Sequence, residues 1–227
     1  VDPDTEVLTA TGDPDFSGGG TVEIVTLDQV VWAEPPDKEE AGSPNTVGAI
    51  ALGAAIHQLE KVGMQRVAQH EAELTAYALE RLAEMRGVHV YGGSDPAQAA
   101  QRLGVIPFAV QGMSHFLVSA ILGYEYGIGV RSGCFCAHPY ILHLLGLTPR
   151  EADEVRERML AGDRSEMPGL IRMSFGLYNT FEDVDRLADA LQHIVGGDYR
   201  GQYSQNAASG EYVPAGWEPD YASYFTF

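Results

Sequence analysis

From Val1 to Glu40 the sequence is dominated by Asp, Pro and Gly, and its apolar positions gather into two short runs, Thr21 to Val25 behind the glycines Gly18 to Gly20, and Gln29 to Ala33. Apolar and β-branched residues bounded by turn formers predict short strands in extended connections. Between Asn45 and Lys61 the apolar residues fall at helical intervals (Val47, Ile50, Ala51, Ala54, Ala55, Leu59). After Gly63 the period resumes from Met64 to Met85, with Val67, Leu74, Ala78 and Leu82 on one face and Glu71, Glu73, Glu80 and Arg81 left for water. Two consecutive helices follow from this spacing, the second long enough to bridge two parts of a protein.

Beyond Gly87 the period shortens to β-type runs separated by helices. Strands are expected at Val88 to Tyr91, Val105 to Val110, Ile128 to Arg131 and Leu170 to Phe175. Helices are expected at Ser114 to Glu125, around Tyr140 to Leu145, at Pro149 to Ala161 and at Phe181 to Val195, where Thr180 and Asp183 fit a capping box. Such alternation is an α/β arrangement, α+β in the smaller layer, with helices against a short mixed or antiparallel sheet. The tail from Gly196 to Phe227 repeats aromatic residues, including Tyr199, Tyr203, Tyr212, Trp217, Tyr221, Tyr224 and Phe225. These rings are expected to adhere to a surface that already exists. The divisions read from the pattern are 1–46, 47–86, 87–195 and 196–227.

Composition narrows the function classes. The chain is 45% hydrophobic and 20% charged over 227 residues, a globular balance. No apolar run reaches the roughly 18 residues of a membrane-spanning helix, and no leader-like segment follows Val1, so a soluble cytoplasmic protein is expected. The absence of an initiator Met suggests that the chain is not the whole gene product. Thirty-two acidic against 14 basic residues give a net charge of -18, which repels nucleic-acid phosphates and anionic lipid. Cys134 and Cys136, one residue apart, are too close for an ordinary structural disulfide and fit a reducing compartment.

Three segments carry candidate chemistry. Gly129 to Pro139 (GVRSGCFCAHP) delivers Arg131 into a glycine-flanked turn with two thiols and His138, a natural place for a nucleophile or an anion-binding guanidinium. The same residues also read as a plain turn with two buried thiols, or, less well, as part of a zinc site of Cys134, Cys136 and His138. Ala41 to Asn45 (AGSPN) precedes a helix, so Ser43 and Asn45 form either a phosphate-binding corner or an ordinary N-cap. Arg172 to Thr180 (RMSFGLYNT) sets an arginine on a strand just before a capped helix.

In this order the three segments resemble the class V aminotransferase family, especially its cysteine desulfurase branch. AGSPN with the following Gly48 to Ala55 is similar to that family's A-G-T-P-N segment; GVRSGCFCAHP to its V-R-x-G-x-x-C-A-x-P loop; and Arg172 to Thr180 to its R-x-S-x-x-x-Y-N-T segment. The glycines Gly18 to Gly20 correspond to a feature just after the family's cofactor lysine. The resemblance implies the C-terminal small domain of a fold type I pyridoxal-phosphate enzyme, preceded by part of the large domain and a long interdomain helix. It implies an amino-acid substrate whose carboxylate is bound by Arg172 with help from Arg131 and His138, and cofactor binding at Ser43 and Asn45. Because Ser43 would meet the phosphate of a partner subunit, a homodimer is implied.

If the chain is a desulfurase, Cys136 is the nucleophile that carries a persulfide to a sulfur acceptor protein. A generic class V transferase or lyase is the leading reading and the desulfurase its alternative, since 36 positions separate Cys136 from Arg172, an interval that adds a helix to the compact pattern. Lys38 and Lys61 lie outside any S-x-H-K-like segment. The lysine anchor is therefore expected outside this chain, which alone is expected to be inactive, either as a fragment or as a split subunit. No resident metal is implied.

Overall fold

The computed structural model describes residues 12–14, 16–218, 220 and 223, and the chain divides between Gly63 and Met64 into two units. In the first, β1 (Val22–Val25) and β2 (Val30–Trp32) form an antiparallel hairpin that pairs Val25 with Val30. The turn is closed from both sides: the Thr26 amide donates to the Gln29 carbonyl (2.8 Å), and the Gln29 amide donates to Thr26 Oγ1 (3.0 Å). Thr21 is fully buried, its hydroxyl donating to the Gly18 carbonyl at 2.9 Å. A Cβ on Gly18 or Gly20 would overlap the carbonyl oxygens of Ala41 and Glu40, so the glycine run lets two backbone segments pass in contact.

Helix α1 (Thr46–Val62) starts at Asn45, whose Oδ1 accepts from the Gly48 amide at 2.9 Å, and stops at Gly63, where φ is 89°. Its apolar period is as the sequence predicts, yet none of its side chains is buried. Val47, Ile50, Leu52 and Ile56 all remain exposed.

The second unit begins with α2 (Met64–Ala83) and β3 (Val88–Val90). A short 3-10 turn at Pro96–Gln101, absent from the sequence expectations, leads to β4 (Val105–Val110), α3 (His115–Tyr126) and β5 (Arg131–Gly133). Then come α4 (His138–Leu144), α5 (Pro149–Leu160), β6 (Leu170–Ser174) and α6 (Phe181–Val195). Strands β3, β4, β6 and β5 lie in that order in one sheet, and every neighbouring pair is antiparallel. The structure thus takes the antiparallel of the two sheet types the sequence allowed.

Alternation along β4 buries Ile106, Phe108 and Val110 beside Ile171 and Met173 of β6. Helices α2 (Leu74, Ala78, Leu82), α3 (Val118, Ile121) and α6 (Leu187, Leu191, Ile194) complete this core. Burying a side chain such as Phe108 contributes about 1.5–3 kcal/mol. Helix α6 is tied to α2 by polar contacts as well: Tyr77 donates to Asp185 Oδ1 at 2.7 Å, and Arg81 meets the same carboxylate at 3.1 Å. The opposite face of β6 points Leu170 into a second, smaller cluster with Cys134 and Ile141.

Two expectations shift. The strand expected at Ile128 to Arg131 instead begins at Arg131. Gly127, at φ 65°, ends α3 in the left-handed region, and the Ile128 amide still donates back to the Leu122 carbonyl, so residues 128–130 serve the helix exit rather than the sheet. The tail contains a hairpin of its own, β7 (Tyr203–Gln205) with β8 (Tyr212–Pro214). Glu125 fastens the chain before it, accepting from the amides of Arg200 and Gly201 and from the Tyr203 hydroxyl, each at 2.9 Å. Tyr221, Tyr224, Phe225 and Phe227 lie outside the described residues. No described helix is long and apolar enough to cross a membrane.

Candidate functional site

Strand β5 is short, and its pairing with β6 sets the site: Arg131 is directly opposite Arg172, and Gly133 opposite Leu170. Opposed residues of an antiparallel pair share a face. Both arginines therefore project from the face away from Ile171 and Met173, the side of the smaller cluster. Arg131 is exposed and Arg172 half-buried. Among the described residues neither forms an ion pair, and Arg172 Nε is buried without a hydrogen-bond partner. In a chain this acidic, two arginines opposed across neighbouring strands and without an ion-pair partner are chemically suited to an anion.

Beyond β5 the backbone is held close to the segment that precedes β6. A Cβ on Gly169 would lie 2.7 Å from Gly133 Cα and 2.6 Å from His115 Nε2. Two successive carbonyls of that segment are engaged: Met167 accepts from His115 Nε2 at 2.9 Å, and Pro168 accepts from Cys134 Sγ at 3.0 Å. Burial pushes the Cys134 thiol up, which keeps it protonated as a donor. Burial likewise holds His115 below the ordinary histidine value, the bond to Met167 opposing it in part. A neutral imidazole that gives its Nε2 proton to a carbonyl leaves Nδ1 as an acceptor, and that atom is buried without a partner.

Cys134 to Ala137 then form a tight turn closed by the Ala137 amide donating to the Cys134 carbonyl at 2.8 Å. Its two central residues, Phe135 and Cys136, sit at φ 51° and φ 60°. That is the primed form normally given to Gly or Asn, and each non-glycine residue held there costs about 1–3 kcal/mol. The turn sends the two side chains to different environments. Cys136 is exposed, whereas Phe135 is half-buried against the Cys134, Ile141 and Leu170 cluster, with its ring centroid 5.1 Å from Arg172 Cζ. His138 opens α4 in an exposed position. Nowhere among the described residues are three His, Cys, Asp or Glu side chains grouped to hold a metal ion, so Cys134, Cys136 and His138 do not converge on one.

The turn after Arg172 is organised by Asn179. Its Oδ1 accepts from the Gly176 amide (2.7 Å), its Nδ2 donates to Asp183 (3.2 Å), and its carbonyl accepts from His70 Nε2 (2.9 Å). The Thr180–Asp183 capping box then starts α6. In the first unit, Asn45 spends its side chain on its own helix, while Ser43 stays exposed beside a helix start that carries no acidic residue. A helix start of this kind suits a phosphate. Lys38 is buried in the short turn Asp37–Glu39, and Lys61 lies exposed in the last turn of α1.

The structure thus brings together Arg131, Arg172 and the Cys136 turn, with His138 two residues further on; Ser43 and Asn45 belong to the other unit. Sequence reasoning missed Phe135, which lies against Arg172, and His115, which holds the 167–169 segment. Phe135 carried one usable signal, an aromatic residue set between two thiols.

The sequence pattern of the family described as aminotransferase class-V matches residues 5–187. A probable cysteine desulfurase of Mycobacterium leprae is 35% identical over 185 residues, covering 81% of this chain and 26% of that protein. The cysteine desulfurase of Salmonella agona is 37% identical over 183 residues, covering 80% of this chain and 38% of its own length. Among solved structures, the apo form of cysteine desulfurase from Thermococcus onnurineus superimposes with a TM-score of 0.65 at 34% identity, over 81% of this chain and 40% of the other. The chain therefore spans about a quarter to two fifths of the length of these relatives.

Proposed function

Because the chain belongs to the aminotransferase class-V family, we propose that it supplies the carboxylate-binding and sulfur-accepting side of a pyridoxal-phosphate-dependent cysteine desulfurase. The observation that carries this reading is the pairing of Arg131 with Arg172, without a carboxylate partner, at the foot of a strained turn that exposes Cys136. Relatives described as cysteine desulfurases favour it over the generic transferase or lyase reading.

Arg172, its guanidinium backed by the Phe135 ring, takes the α-carboxylate of L-cysteine as a planar ion pair, and Arg131 on the neighbouring strand adds a second positive charge. When bound, pyridoxal phosphate supplies an electron sink conjugated to the α-carbon of the amino acid. Cys136 attacks as the thiolate: an Sγ–S bond forms, the substrate's carbon–sulfur bond breaks with its electron pair leaving on carbon, and the sulfur stays on Cys136 as a persulfide. Exposure of Cys136 leaves that persulfide open to a sulfur acceptor protein. Cys134, protonated and bonded to Pro168, takes no part in the transfer. Ser43 at the start of α1 binds the cofactor phosphate across a homodimer interface, and the covalent anchor of the cofactor is neither Lys38 nor Lys61.

The test is sulfide release from L-cysteine by the intact protein with pyridoxal phosphate. Cys136→Ser removes the release and Cys134→Ser retains it. Undiminished release from Cys136→Ser would overturn the role given to that thiol.

A further inference from the structure

Between the substrate-binding arginine and the thiol stands a residue that neither role uses. The Phe135 ring lies 5.1 Å from Arg172 Cζ, and Phe135 is the immediate chain neighbour of Cys136. Both residues occupy the centre of one turn at positive φ. In that geometry the aromatic side chain goes inward to Leu170 and Ile141 while the thiol remains exposed. Arg172 has no carboxylate partner among the described residues, its Nε is buried and unpaired, and the Phe135 ring face lies against its guanidinium.

We propose that Phe135 is a positioning residue that holds the Arg172 guanidinium ready for the substrate carboxylate and, through the same turn, fixes where Cys136 stands. The proposal rests on the desulfurase reading above and deepens it. Strain supports it: two left-handed non-glycine residues persist only where their surroundings hold them, and an inward-packed ring is a hold that a glycine at position 135 would lack. An aromatic face also restrains a guanidinium without neutralising it, unlike a carboxylate, so the full charge remains for the substrate. A purely apolar anchor would fill the small cluster equally well and leave Arg172 free to swing.

Phe135→Leu separates these two roles, because it keeps the apolar anchor and removes the ring face, and Phe135→Tyr restores the face. In the intact protein with its cofactor, KM for L-cysteine and kcat for sulfide release are measured for both variants and for Arg172→Lys. The rate of iodoacetamide labelling of Cys136 in the native protein gives a second reading that needs no turnover. Phe135→Leu is expected to raise KM about three- to tenfold, the equivalent of one cation–π contact, with kcat changed less than KM, and to leave labelling of Cys136 at the wild-type rate because the apolar anchor remains; Phe135→Gly, which removes the anchor as well, is expected to speed labelling several-fold. Phe135→Tyr returns KM to the wild-type value. An unchanged KM in Phe135→Leu, failure of Phe135→Tyr to restore it, or an unchanged labelling rate in Phe135→Gly overturns the proposal; should Phe135→Leu not fold, Phe135→Met carries the same comparison. If Arg172→Lys leaves KM unchanged, the carboxylate reading itself fails, whereas a raised KM in Arg172→Lys with Phe135→Leu unaffected removes only the role of Phe135.

Discussion

Arg131 and Arg172 stand directly opposite each other on β5 and β6, and among the described residues neither forms an ion pair. Like charges so placed destabilise a sheet. Retaining them fits a site whose counter-ion arrives with the substrate. Arg131→Gln is therefore expected to stabilise the ligand-free protein by about 0.2–1 kcal/mol while weakening binding of an amino-acid carboxylate. Urea unfolding and substrate titration on the same sample check both signs. A variant that is less stable and binds as well as the parent would contradict the account.

The two thiols differ in environment although one residue separates them. Native protein is expected to react with one equivalent of maleimide, at Cys136, and to yield Cys134 only in denaturant, because Cys134 is buried and its thiol is engaged with Pro168. Peptide mapping of the labelled protein assigns the sites. Equal labelling of both cysteines in the native state would mean that the Cys134 turn is open.

His115 couples stability to pH. Burial holds its folded value below the ordinary 6.5, so the unfolded chain takes up a proton before the folded one does. Its contribution is complete above about pH 6.5 and is lost as the pH falls through the folded value. Between about pH 7.5 and about pH 5.5, the urea midpoint of wild type should fall further than that of His115→Gln, which can still donate to Met167 but does not titrate. Parallel falls would remove His115 from the pH response.

Glu125 links α3 to the tail. Burial alone would raise its carboxyl, but the Arg200 and Gly201 amides and the Tyr203 hydroxyl together outweigh it and leave the group below its usual value, charged at neutral pH. Glu125→Gln loses acceptor capacity and leaves at least one of these donors unmet. Trypsin should then cut after Arg200 several-fold faster than in wild type, as time-resolved gels or mass spectra will report. Unaltered cleavage would show that the tail is held elsewhere.

Much of this fold was legible because local pattern and tertiary role agree. Helix α6 runs Phe181–Val195 as expected, since the Thr180–Asp183 box and the apolar stripe of Val184, Leu187 and Leu191 mark its start and its buried face. Strand β4 matches from Val105 to Val110 because its alternation is also its burial. Strand β5 was misplaced: Ile128 and Val130 look like strand residues yet pack on the core ahead of the pairing, which begins at a charged residue that no apolar pattern signals. The β7–β8 hairpin is anchored by a carboxylate 75 positions upstream of Arg200, beyond the reach of local reasoning.

The site divides in the same way. Arg131, Arg172 and Cys136 are candidates named by the resemblance of their segments to the family's, whereas the positive φ of Phe135 and its approach to Arg172 depend on how the loop meets β6. The apolar period of α1 was read correctly as a helix, but exposure of Val47 and Ile50 shows that periodicity alone does not reveal what a helix packs against.

The most direct measurement is mass spectrometry of the peptide containing Cys136 after brief exposure of the intact, cofactor-loaded protein to L-cysteine, with alkylation to trap the product. The account predicts one added sulfur atom on Cys136, none on Cys134, and loss of the adduct in Arg172→Ala. A sulfur adduct that maps to Cys134, or sulfide produced with no sulfur ever found on Cys136, would contradict it.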